Sequence, residues 1–186
     1  MQSKYLFDKN FKEILCSQII SVFGGLFAGG ILAYYTKNIL LIPSMLIILP
    51  GFLEMRANIS GPLASRLSSG LFLGVINIRP LVKANKKIIR GNVFASIFLT
   101  IIACLFLGTL AFLMNYFVFQ VYTPKLIFVL LIAGLIANAI ELPITLFITF
   151  LLFRKGHDPN NIMGPFLTSL GDITSIVALL IALVIL

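Results

Sequence analysis

Apolar residues gather into five long runs separated by short polar segments, over residues 14–36, 39–75, 91–118, 124–153 and 161–186. Each run reaches the roughly 20 residues that an α-helix needs to cross a bilayer. The pattern predicts an all-α integral membrane protein with five transmembrane helices. A single transmembrane domain would occupy residues 14–186, behind a cytoplasmic lead-in of residues 1–13 that carries Lys4, Lys9 and Lys12. Run 14–36 has no charged residue. It is longer than the roughly 7 to 15 residues of a signal-peptide core and is followed by no small-residue cleavage site, so it reads as a retained helix. Its Gly24, Gly25, Gly29 and Gly30 give overlapping small-x-x-x-small pairs, a face on which another helix packs closely.

The second run is irregular. Pro43, Pro50-Gly51 and Gly61-Pro62 interrupt it, and Glu54, Arg56 and Asn58 lie between the last two interruptions. Charges and freed backbone groups at membrane depth are tolerated where protein or a water-filled cavity covers them. Residues 39–75 therefore read as a broken or re-entrant span. Glu54 and Arg56 either pair with each other or at an interface, or belong to a functional site.

Charge sets the orientation. With the N-terminus inside, ten Lys and Arg residues fall on cytoplasmic segments: Lys4, Lys9, Lys12, the five from Arg79 to Arg90, and Arg154 and Lys155. Only two, Lys37 and Lys125, fall outside, which is the positive-inside pattern. The C-terminus is then expected at the outer face. Composition agrees, with 60% hydrophobic residues, 11% charged and a mean hydropathy of +1.09, against about 45 to 50% apolar and about 25% charged in soluble domains. A multi-pass protein of the cell membrane follows, with the lipid bilayer as its surroundings. The formal net charge of +8 reflects basic residues at span ends and implies no nucleic-acid partner. Cys16 and Cys104 both lie within apolar runs, and neither a disulfide framework nor a zinc site is indicated.

Acidic residues within the apolar runs are the candidates for chemistry. Asp172 stands in the last run with 14 residues after it, Leu186 included, near mid-bilayer at about 1.5 Å per residue. A lone carboxylate there costs roughly 2.5 to 3.5 kcal/mol on insertion, so it faces a bundle interior, a partner or an ion path. Glu141 follows Asn138 and precedes Pro143 near the middle of the fourth helix. The third run, 91–118, contains Asn115 but no charge and reads as a lipid-facing scaffold helix. His157 is the single histidine and reads as a loop residue, with Asp158-Pro159-Asn160 beyond it providing a helix start capped by Asn160 or Asn161.

Two segments echo one another, GPLASRLSS at 61–69 and GPFLTSLGD at 164–172. Together with the stretches around them, LPGFLEMRANISGPLASRLSSGLFLG and DPNNIMGPFLTSLGDITSIVALL, they resemble the two signature segments of the membrane domain of MgtE-type magnesium transporters and the related solute-carrier magnesium transporters. The resemblance covers essentially the whole chain and corresponds to one five-helix unit. It implies a divalent cation path at a two-fold interface with Asp172 at its centre, and a dimer, either of this chain or with a second half-length chain. Bacterial members carry cytoplasmic sensor domains where this chain has about 13 residues, so the resemblance does not carry that mode of gating over.

The chemistry of the residues is consistent with that implication. Magnesium sheds water reluctantly and is usually held by one or two carboxylates with most of its hydration shell retained. Two Asp172 side chains across an axis would match its charge. Ser169 and Thr168 lie one helical turn earlier, and either offer oxygens to a hydrated ion or bond back to their own backbone. Glu54, Asn58, Arg66 and Glu141 are further candidates, in the pore or as structural partners. A membrane potential supplies about 4.6 kcal/mol per dication per 100 mV, so uptake requires no ATPase domain. Magnesium enters as the transported ion, and no cofactor is expected. An intramembrane lipid enzyme would have to use Glu141, or Glu54 with Arg66, and no H-E-x-x-H or G-x-S-x-G array accompanies them. A non-conducting membrane subunit is the other alternative.

Overall fold

The structure is a computed structural model that describes residues 8–39, 45–78 and 83–186. Lys4, Pro43 and Arg79, and with them residues 1–7 of the lead-in, lie outside the described residues. All regular structure among the described residues is helical: α1 (Lys9–Tyr34), α2 (Thr36–Ile39), α3 (Met45–Phe72), α4 (Lys83–Phe117), α5 (Lys125–Arg154) and α6 (Pro159–Ile185). By length and composition α1, α4, α5 and α6 are each able to cross a membrane. Helix α3, at 28 residues, spans about 42 Å at 1.5 Å per residue, but Glu54, Arg56 and Arg66 make it more polar than the others.

The expectation of a broken second span is corrected within the described part of that run. Helix α3 runs without interruption from Met45 to Phe72 although Pro50 and Pro62 lie inside it. Both prolines sit on exposed positions, so the helix bond each one removes is lost at the outer side of α3 and not in the packed core. Pro62 has no N–H to offer the carbonyl of Asn58, which is left for another donor. Pro165 does the same to the carbonyl of Asn161 in α6, and there the Ser17 hydroxyl of α1 lies 3.1 Å away, shared with the Ile14 carbonyl of its own helix at 2.8 Å.

Local chemistry sets the helix ends. Asp8 caps α1 by accepting from the Lys9 amide at 2.6 Å, so the last residues of the lead-in are the first turns of α1. Asp158 caps α6, accepting from the Asn160 amide at 2.9 Å with Pro159 at the first helical position. The capping side chain is therefore Asp158, not Asn160 or Asn161, because proline fits the first turn and places the carboxylate one residue ahead of it. Asn85 in the first turn of α4 holds both backbone groups of Asn77, at 2.8 and 2.9 Å, and joins the start of α4 to the end of α3.

Helices α3 to α6 form the bundle, with α5 and α6 the most buried, and α1 packs along α6. One core gathers Met45, Phe52, Leu126, Leu130 and Leu179. A second, towards the other end, gathers Leu63, Leu67, Leu142 and Phe150. Helix α4 is lipid-facing on one side only. Phe94, Phe98, Phe106 and Phe117 are exposed, but Ser96, Thr100, Cys104, Ala111 and Asn115 are buried on the opposite side. Asn115 donates to Thr123 at 2.6 Å and closes the α4–α5 turn. Small residues let α4 and α5 approach: a Cβ at Gly108 would lie 2.8 Å from the Ile127 Cα. Of the four glycines in α1 only Gly24 makes such an approach, to Ser169 of α6; a Cβ at Gly25, Gly29 or Gly30 would meet nothing within 4 Å among the described residues.

Candidate cation pathway

Two polar faces lie open on adjacent helices. On α3, Glu54, Asn58, Pro62, Ser65 and Ser69 are exposed, at spacings of three and four residues that line one side of a helix. On α6, Gly164 and Thr168 are exposed and Asp172 is half-buried, a row at four-residue spacing. Helices α3 and α6 pack against each other. The echoed Gly-Pro segments of the sequence are thus on neighbouring helices, and each contributes to an open polar surface.

Asp172 makes no hydrogen bond or ion pair with any described residue, and the carboxylates of Glu54 and Glu141 are the charges that act on it. Asn58 donates to Glu54 at 3.3 Å along the exposed face of α3. Thr168 shares the Asp172 face, its hydroxyl donating to the Gly164 carbonyl at 3.1 Å. Ser169 departs from that group. It is 6% exposed, packs on α1 at Gly24, and donates to the Phe166 carbonyl at 3.1 Å. Arg66 is exposed and is joined to neither Asp172 nor Asn58 among the described residues. Glu54 and Arg56 do not pair, because two residues apart on a helix is about 200° and puts them on opposite faces.

Arg56 turns inward, where it and Glu141 are 0% and 1% exposed. Arg56 Nη2 lies 2.7 Å from Glu141 Oε2, and its Nε donates to Oε1 at 3.4 Å. The Nη2 contact is off the direction of its N–H bonds, an ion pair by distance without an aligned hydrogen bond. Ser60 of α3 donates to Oε2 at 2.6 Å and Thr174 of α6 to Oε1 at 2.7 Å. Arg56 Nη1 donates to Asn138 at 3.1 Å and to Thr100 of α4 at 3.4 Å, and Asn138 donates to Thr100 at 2.8 Å. Each Glu141 oxygen therefore has two close partners, a hydroxyl and an arginine nitrogen. Four helices meet in this one network.

Its position ties it to the open faces. Thr174 is two residues beyond Asp172 and Ser60 two beyond Asn58, so Glu141 fixes the register of α6 and α3 from behind their exposed sides. Glu141 also lies against Gly171, 3.8 Å from where its Cβ would be. Of the acidic candidates, then, Asp172 and Glu54 belong to the open surface and Glu141 to its support. Arg56 was marked by the sequence without its partner, and Ser60, Asn138, Thr100 and Thr174 were not among the sequence candidates for the site. The signal lay in spacing: Arg56 with Ser60, Asn138 with Glu141, and Thr100 with Ser96 each fall on one face of a helix.

At the loop between α5 and α6, His157 meets Glu13 at 2.8 Å through Nδ1, and Glu13 also accepts from Asn161 at 3.1 Å. His157 is a loop residue, as the sequence indicated, that tethers the start of α1. Among the described residues no three His, Cys, Asp or Glu side chains converge as a metal-binding group.

Four helices long and apolar enough to cross a membrane, packed in one bundle, mark a multi-pass membrane protein. The MgtE family model, described as divalent cation transporter, matches residues 49–182, and the chain belongs to that family. The match takes in both polar faces and the whole Arg56–Glu141 network. The chain matches no curated protein and no solved structure.

Proposed function

We propose that this chain moves Mg2+ across the cell membrane through a path at the two-fold interface between two five-helix units, lined by α3 and α6 with Asp172 at its centre. The observation that carries the reading is the open polar surface of α3 and α6. Polar groups facing hydrocarbon are costly; a second unit laid on that surface replaces lipid with a water-containing passage. Five crossings follow if α3 also spans, and its charges are arranged for that: Arg56 is neutralised by Glu141 inside the bundle, and Glu54 faces the passage.

Two Asp172 carboxylates facing across the axis balance the charge of a hydrated dication without stripping its water. Thr168 and the Asn58 carbonyl, left without a helical donor by Pro62, offer neutral oxygens to that water shell. The N-terminus lies inside and the ten-to-two distribution of basic residues orients the unit. The membrane potential drives the cation inward.

The test is Mg2+ flux into liposomes containing the purified chain, under an imposed potential and with Asp172→Asn alongside. Wild type should conduct, Co2+ and Mn2+ should compete, and Asp172→Asn, with unchanged thermal stability, should lose nearly all flux. A stable Asp172→Asn chain with wild-type flux would remove the carboxylate from the mechanism. No flux in any preparation of folded wild type would favour a non-conducting subunit.

A further inference from the structure

On the far side of α5 from that surface, α4 and α5 enclose an open groove of about 560 Å³. Its walls are apolar, with Val93 on α4 and Pro143, Phe147 and Phe150 on α5. Its mouth is cationic: Lys86 and Arg90 from α4 and Arg154 from α5 line one end. No acidic side chain lines the groove, and none of the three cations is in an ion pair among the described residues. The Arg56–Glu141 network does not reach it.

Helical geometry gives the groove a length. Pro143, Phe147, Phe150 and Arg154 recur at three- and four-residue spacing, so one face of α5 carries an apolar stripe that ends in a guanidinium. From Pro143 to Arg154 the helix rises about 16 Å. The antiparallel α4 brings Lys86 and Arg90 to the same end. A ligand that fits has a chain that lies along the stripe and an anion at its end.

We propose that this groove is a binding site for one anionic phospholipid, its phosphate held by Lys86, Arg90 and Arg154 and an acyl chain laid over Pro143 and Phe147. Charge complementarity selects the occupant. Basic pockets between membrane helices recognise anionic head groups, each Lys or Arg adding favourable energy near the surface, and Arg meets phosphate with two parallel donors. Phe147, 66% exposed, is a large apolar side chain that a lipid chain covers. The three cations are near the membrane surface while Pro143 is deeper, the depth profile of head group and tail.

The test is lipid binding by the full chain in detergent. Phosphatidylglycerol and phosphatidylcholine are titrated separately while thermal unfolding is followed. Phosphatidylglycerol should raise the unfolding midpoint and phosphatidylcholine should not. Lys86→Gln/Arg90→Gln/Arg154→Gln should weaken phosphatidylglycerol on the order of 100-fold. Lys12→Gln/Lys87→Gln/Lys155→Gln, which removes the same formal charge at exposed positions off the groove, should leave its effect intact. Phe147→Ala, at an exposed position, should weaken phosphatidylglycerol with the cations in place. Equal losses in the two triple variants would overturn the groove in favour of diffuse surface charge. Equal stabilisation by inorganic phosphate would overturn the lipid in favour of a free anion. An unchanged affinity after Phe147→Ala would remove the acyl chain from the site.

Discussion

Arg56 and Glu141, 85 residues apart in sequence, place Nη2 and Oε2 2.7 Å from each other at the centre of the bundle. Removing either partner leaves a charge that cannot reach water. Arg56→Met and Glu141→Gln should each cost about 3 to 5 kcal/mol. In the double variant the loss should be well below the sum of the singles, because one uncompensated charge is no longer set against the other. Chemical unfolding in detergent, followed by circular dichroism, gives the three values. Strict additivity would mean that the pair is not coupled.

The approach of α4 to α5 at Gly108 makes a sharper test than burial alone. Gly108→Ala puts a methyl 2.8 Å from backbone of the neighbouring helix, which cannot rotate aside as a side chain can. It should destabilise by about 1 to 3 kcal/mol. Gly29→Ala, with nothing within 4 Å, should change stability by no more than about 0.5 kcal/mol. Thermal unfolding of the two variants side by side distinguishes them.

Assembly through the open polar surface predicts contact between copies. Cysteines at Asn58 or Thr168, introduced with Cys16→Ser to remove the exposed native thiol, should cross-link between chains in the membrane. Cysteine at Phe106, on the exposed side of α4, should not. Cross-linking at Phe106 and absence at the other two would relocate the interface and, with it, the passage.

Orientation is checked with a membrane-impermeant thiol reagent on intact cells. A cysteine at Leu186 should react from outside, and one at the exposed Lys87 only after permeabilisation. Reaction of both from the same side would mean an even number of crossings between them and would exclude the five-crossing arrangement.

The helices themselves were legible because membrane spans are long and their apolarity continuous; α5 and α6 begin and end within two residues of the runs read from sequence. Proline misled at the second run. Pro50 and Pro62 break helices in water, but they lie on exposed positions of α3, and the helix continues through both. Asp172 was legible because a carboxylate in an uncharged run needs an explanation wherever it points. The role of Glu141 was only half legible. Its acidity and depth marked it, but its partners come from α3, α4 and α6, and a register between helices far apart in sequence is not written in any one of them. Ser169 shows the limit of spacing arguments: it is three residues from Asp172, yet the extra rotation turns it onto α1.

Helix α1 rests along α6, with only Glu13, Ser17 and Ala28 buried. Its dock therefore does not exist when α1 is made. Everything from Tyr35 to Asp158 is synthesised before the ribosome reaches the surface that receives Gly24 and the Asn161 carbonyl that receives Ser17. Through that interval α1 must wait in the membrane as a lone, sparsely polar helix, and its uncharged stretch is what allows the wait. Of the described helices α1 is made before the one it packs on, so its docking on α6 marks a finished bundle.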